Sequence, residues 1–228
     1  MSANQFVAPD YGHSALITID VQSDTLDGHP LEIPGTSAML PRLEELTSAF
    51  REASQPIVHV VRLYKPDGSN ADLCRRHDLI KGAQWLRPGS MGAQLAPGIV
   101  SSSVQLNCDR LLAGEFQQIG PIEQIMYKSR WGAFYQTPLE VFLRSNGVTT
   151  LVFAGCNFPN CPRTSIYEAS ERDFRIVLAS DAISGLYERG ATELTNIGVT
   201  LERVRGITSA LHRHKDRAPD STEQSLPI

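Results

Sequence analysis

The stretch TTLVFAGCNFPNCPRTS, Thr149–Ser165, decides the fold. TTLVFAG is the most apolar run in the chain and shows no alternation, the pattern of a parallel strand buried on both faces. A short turn follows, with Cys156 and Cys161 on either side of it. Pro162 then suits the start of a helix predicted to reach Asp173, because its missing N–H would be unpaired there anyway. Strand, tight turn and helix in that order belong to an α/β architecture.

The rest of the chain repeats this alternation. SALITID (14–20), PIVHVVR (56–62), IEQIMYK (122–128) and FRIVLAS (174–180) read as further strands, and GITSAL (206–211) as a last short one. A helix opens at Gly35-Thr36-Ser37, with Thr36 or Ser37 as its cap and Met39, Leu43, Leu46 and Phe50 on its apolar face. A second starts at Thr137-Pro138 and stops at Asn146-Gly147, and another spans Glu188 to Val204. Residues 63–120 are irregular but keep apolar side chains, which predicts an ordered lid or binding loop. The tail from His212 is polar and expected to fray. There is no internal repeat, so residues 1–228 read as one α/β domain with a mostly parallel sheet.

Composition narrows the function classes. The 228 residues carry a net charge of -4 with no basic stripe, which argues against nucleic acid as a partner. No apolar run is long enough to span a bilayer, and MSANQFVAPDYGHS lacks the basic-then-apolar order of a signal peptide. A cytoplasmic protein with no membrane partner is expected. In that reducing setting, Cys74, Cys108, Cys156 and Cys161 are expected as thiols.

Sites in parallel sheets lie beyond the carboxyl ends of the strands. There the first strand ends on Asp20, the third on Lys128, and the fourth on the turn that leads to Cys161. An acid, a base and a thiol are the set a thiol hydrolase needs. At a helix N-terminus, Cys161 gains free N–H groups and the positive end of the dipole, which favour a thiolate and can hold an oxyanion. Asp20 can move the thiol proton to a leaving amine, and Lys128 can keep Asp20 ionised. Each residue also has a plainer reading: a buried structural cysteine, a turn-capping acid, a surface lysine. Their coincidence at one rim favours chemistry. His59, mid-strand, is expected as a satisfied core histidine; His13 and His29 can approach the rim but show no partner.

Asp20 in ITIDVQ, Lys128 in MYKSRWGAF and Cys161 in GCNFPNCPRTS, in this order, resemble the isochorismatase-like cysteine hydrolase superfamily, over roughly Ser14 to Ile207. The resemblance implies a Rossmann-like three-layer α/β/α fold, with a six-stranded, mainly parallel sheet and helices on both faces. It implies the triad Asp20, Lys128 and Cys161, a non-proline cis bond between Cys156 and Asn157, and an oxyanion site made by the Asn157 and Cys161 amides. Gln22 matches the family's Asp-x-Gln and is expected to orient the acid or a bound water. The resemblance also implies a small amide, ureido or cyclic amide substrate, no cofactor and a homo-oligomer, dimer or tetramer. Nicotinamidases of the superfamily carry a metal-binding Asp and histidines after the second strand. Here RLYKPDGSNADLCRR stands in that place, so no metal is expected.

Tyr64, Trp131, Phe134 and Phe158 are candidates to line a substrate pocket, with helix–sheet packing as the alternative. Arg62, Arg75 and Arg76 can receive a carboxylate, or else pair with local acids such as Asp72 and Asp78. Three other functional readings stay open: isochorismatase-type ether hydrolysis, a redox or metal module built on Cys156 and Cys161, and a silent binding protein on the same fold.

Overall fold

In the computed structural model, which describes residues 4–100 and 104–215, SALITI forms β1 (Ser14–Ile19) at the centre of the sheet. All six of its side chains are buried, because layers cover both faces. β2 (Ile57–Val61) and β5 (Thr150–Gly155) flank it in parallel, with Leu16 opposite both Ile57 and Val152. β4 (Glu123–Tyr127) extends the sheet beyond β2. β6 (Arg175–Ile183) and β7 (Thr200–Glu202) extend it beyond β5. The sheet has seven strands rather than the six expected. The additional one, β3 (Gln117–Gln118), is a two-residue antiparallel edge beside β4, too short and polar to show a strand period.

Alternate residues of each strand feed two cores. Leu16, Ile57, Val152 and Val177 face α1 (Thr36–Glu52) and α7 (Val204–Lys215), while Ile17, Val58, Phe153 and Leu178 face α4 (Leu139–Ser145), α5 (Cys161–Ser170) and α6 (Glu188–Asn196). GITSAL is therefore helical, not a strand: Val204, Ile207 and Leu211 recur at helical spacing and are all buried against the sheet. The helix expected to run to Val204 stops at Asn196 instead, because Gly198, at φ +86°, turns the chain into β7. Helix α1 is N-capped by Gly35 with no side-chain cap. Thr36 is its first residue, and the Ser37 hydroxyl instead accepts a bond from the Asp27 amide. Most of the expected polar tail, residues 216–228, lies outside the described residues.

The 63–120 excursion is less irregular than expected. It holds α2 (Leu73–Ile80) and α3 (Cys108–Leu112), and Tyr64, Ala71, Leu79 and Leu86 form a small core of its own. Buried Asp24 pins it over the carboxyl ends of the strands, accepting from the Leu86 amide at 2.6 Å. Among the described residues no helix is long and apolar enough to cross a membrane.

Candidate active site

The strand ends meet as the spacing required. Asp20 follows β1 at φ 53°, a left-handed conformation that Asp and Asn tolerate better than other side chains. Lys128 follows β4, and its amide donates to the Val61 carbonyl. Its side chain is fully buried, and Nζ donates to Asp20 Oδ2 at 2.8 Å and to the Arg130 carbonyl at 3.3 Å. The second carboxylate oxygen, Asp20 Oδ1, is buried without a hydrogen-bond partner among the described residues. Gly155 ends β5 against β1. A Cβ there would sit 2.3 Å from the Ile19 carbonyl oxygen, so only glycine lets the turn to Cys161 start so close to Asp20.

Cys161 is the first residue of α5, Asn160 its N-cap and Pro162 its second residue, one position later than expected. The first amides of a helix have no intrahelical partner. Neither the Asn157 nor the Cys161 amide donates a hydrogen bond among the described residues. The Cys156–Asn157 peptide bond is cis. Asp20, Arg62, Tyr64, Trp131, Asn157 and Cys161 line one cavity of about 220 Å³.

The helix terminus favours a thiolate, but the groups around Cys161 weigh against it. Burial pushes the Cys161 thiol up, and the charge of Asp20 adds to it; Lys128 and Arg62 pull the other way without reversing the result. Cys161 therefore rests as a thiol beside Asp20. Cys156 is raised too, by burial first and then Asp20, and its Sγ donates to the Asp20 carbonyl at 3.0 Å. All four cysteines are free, and among the described residues no three His, Cys, Asp or Glu side chains group to hold a metal ion.

Three candidate pocket residues fall elsewhere. Gln22 is fully buried and staples backbone: Nε2 donates to the Arg62 and Ala93 carbonyls at 2.9 and 2.6 Å, and Oε1 accepts from the Arg62 amide at 2.7 Å. Phe134 packs on Phe174, and Phe158 on Tyr187, both in the core. Tyr64 and Trp131 do line the cavity, with Arg62 and Arg75, whereas Arg76 does not. His13 pairs with Asp10 before β1, at the opposite end of the sheet, and His29 is exposed outside the cavity. His59 is a core residue as read: its Nδ1 lies 2.8 Å from Thr18 Oγ1 and its Nε2 2.7 Å from Glu123 Oε1.

Two residues went unread in the sequence. Ser165 Oγ donates to the Cys161 carbonyl and accepts from the Ala133 amide, and Glu168 accepts from the Phe134 amide. They tie the segment after Lys128 to the cysteine helix. Their spacing from Cys161, four and seven residues, places all three on one helix face and was the available signal.

With this geometry in place, the family can be assigned. The pattern described as "Isochorismatase domain" matches residues 14–197. The chain belongs to the isochorismatase family. An isochorismatase family protein from Desulfovibrio vulgaris has a similar crystal structure, with a TM-score of 0.75 and 28% identity over 88% of this chain and 99% of that one. N-carbamoylsarcosine amidase of an Arthrobacter species is 25% identical over 95% of this chain and 80% of its own length. A probable inactive nicotinamidase of Arabidopsis thaliana is 26% identical over 85% and 93%. The isochorismatase family thus joins this chain to amide-cleaving relatives and to one named as probably inactive, so its own residues must decide.

Proposed function

We propose that the protein is a cysteine hydrolase that cleaves the C–N bond of a small amide, ureido or cyclic amide substrate through a thioester. One observation carries the reading. Asp20 has one oxygen on Lys128 and the other buried with no hydrogen-bond partner among the described residues, and Asp20 and Cys161 line the same cavity.

The chemistry follows from that arrangement. Asp20 Oδ1 takes the proton from Cys161 Sγ as sulfur attacks the substrate carbonyl carbon. The amides of Asn157 and Cys161 donate to the oxyanion that forms. Asp20 returns the proton to the departing nitrogen, the C–N bond breaks, and an acyl thioester remains on Cys161. Asp20 then deprotonates a water that attacks the thioester, releasing the acid and restoring the thiol. Lys128 holds Asp20 in place throughout, its Nζ donating to Oδ2 at 2.8 Å and leaving Oδ1 free for the proton. The scheme needs no metal or cofactor. The Arthrobacter amidase among the relatives supports this reaction class.

Ether hydrolysis of the isochorismatase type is the weaker reading, because it gives the cavity thiol no part. A redox role for Cys156 is weaker too, since that thiol is held protonated and bonded to the Asp20 carbonyl. The test is a panel of amides and ureido compounds read by ammonia release, with acid-quenched mass spectrometry of the peptide containing Cys161. An acyl adduct on that peptide is expected. Turnover with the adduct on another residue would refute the assignment.

A further inference from the structure

We infer that the substrate of this site, read as an amidase, carries a carboxylate, and that Arg62 receives it. Arg62 follows β2, is 2% exposed, and lies on the wall of the cavity that contains Cys161. Its Nη1 is committed: it donates to the Ser129 carbonyl at 2.9 Å and pairs with Asp72 at 2.9 Å. Nε and Nη2 have no hydrogen-bond partner among the described residues, although both are buried. Those two atoms form one edge of the guanidinium, the parallel pair of donors that matches the two oxygens of a carboxylate. Buried donors are almost always satisfied, and an unmatched pair on a residue of the cavity wall is one that an incoming anion would satisfy.

The surroundings suit an anion. The Arg62 guanidinium carbon lies 5.4 Å from the Trp131 ring centroid and 5.7 Å from that of Tyr64, within cation–π range of both. Arg75 lies 5.4 Å from the Trp131 ring, also lines the cavity, has a buried unpartnered Nε, and makes no ion pair among the described residues. Asp72 balances one guanidinium and Lys128 balances Asp20, which leaves the charge of Arg75 uncompensated. The remaining charged wall residue, Glu32, is exposed at the rim and accepts from the Gly28 amide. A cavity of about 220 Å³ admits only a small molecule. The substrate is thus a short amide or ureido acid, its carboxylate on Arg62 and its carbonyl at Cys161.

The test reads occupancy rather than turnover, so its failure is separable from failure of the amidase reading. Cys161 is alkylated with iodoacetamide in the presence of succinate or glutarate, or of their neutral diamides, and labelling is followed by mass spectrometry. Exposed Cys74 serves as the internal reference. The diacids should slow Cys161 labelling saturably at concentrations about tenfold or more below those the diamides need. Arg62→Gln should erase that preference, and Arg75→Gln should reduce it. Because Arg62→Gln orphans Asp72, the pair Arg62→Gln/Asp72→Asn provides a variant with no unpaired charge, and it too should lose the preference. Equal protection by diacids and diamides, no protection by either, or a preference that survives in the double variant would overturn the inference.

Discussion

Replacing Lys128 by methionine removes a buried charge while keeping most of the side chain's volume. Nζ lies 2.8 Å from Asp20 Oδ2, and the lysine is completely buried. At an effective dielectric constant of ~20, two unit charges at that separation attract by about 6 kcal/mol before desolvation is counted. Removing one partner of such a pair costs about 3–5 kcal/mol, because the other is left buried and uncompensated. Asp20→Asn should cost a similar amount, leaving Lys128 stranded; Asn tolerates the left-handed backbone at this position, so the change isolates the charge. The double variant Asp20→Asn/Lys128→Met strands neither group. It should lose no more than about either single variant, giving a coupling energy above about 3 kcal/mol. Urea unfolding of the four proteins, with m-values checked for constancy, measures this directly. All three variants should also fail to release ammonia, the stable double included, which separates the chemistry from the fold. Single variants within about 1 kcal/mol of the native protein, or costs that simply add, would refute the picture of a buried, mutually dependent pair.

Other predictions rest on neighbouring contacts. The pH profile of Cys161 alkylation should turn on above the ordinary thiol range of about 8.5, and Asp20→Asn should move it down, since the charge of Asp20 helps hold the thiol up; an unchanged profile would contradict the assigned cause. Ser165→Ala leaves the Ala133 amide unpaired and should lower stability by about 1–3 kcal/mol in denaturant melts. Cys156→Ala should keep ammonia release within a few fold of native, because its protonated thiol bonds the Asp20 carbonyl and takes no part in the proposed attack. Acid titration should show two losses. Burial lowers the pKa of His59, so its neutral folded form is stable above about 6.5 and loses ground as the unfolded state protonates below that value. Burial alone would raise Glu123, but hydrogen bonds from Arg51 and His59 hold it near 2, so its contribution is full above the unfolded carboxylate range and fades as pH falls toward 2. Glu123→Gln should flatten the lower of these two windows in melts followed from pH 7 to 2.

The sequence made the sheet centre and the meeting of three strand ends legible because both rest on local signals. SALITID and TTLVFAG are unbroken apolar runs, and strand ends announce themselves where such runs meet an acid, a lysine or a Gly-Cys turn. Asp20, Lys128 and Cys161 could be placed at one rim by topology alone. The pocket was less legible, because facing cavity or core depends on packing between distant segments. Phe134 and Phe158 read as pocket aromatics and are core, while Gln22 is a backbone staple whose partners, Arg62 and Ala93, lie 40 and 71 residues away. The setting of Cys161 was legible only in part for the same reason: the helix terminus is visible in the sequence, but the burial that pushes the thiol up is not. GITSAL was read at a period of two when Val204, Ile207 and Leu211 carry a helical one.

The account stands on Cys161 as nucleophile, and one comparison reaches it most directly. Native protein and Cys161→Ala, matched by circular dichroism, are assayed for ammonia release from the amides the native protein turns over. The predicted result is a native fold with the rate reduced about 1,000-fold or more, to background. A well-folded Cys161→Ala protein that still releases ammonia at a rate close to native would contradict it.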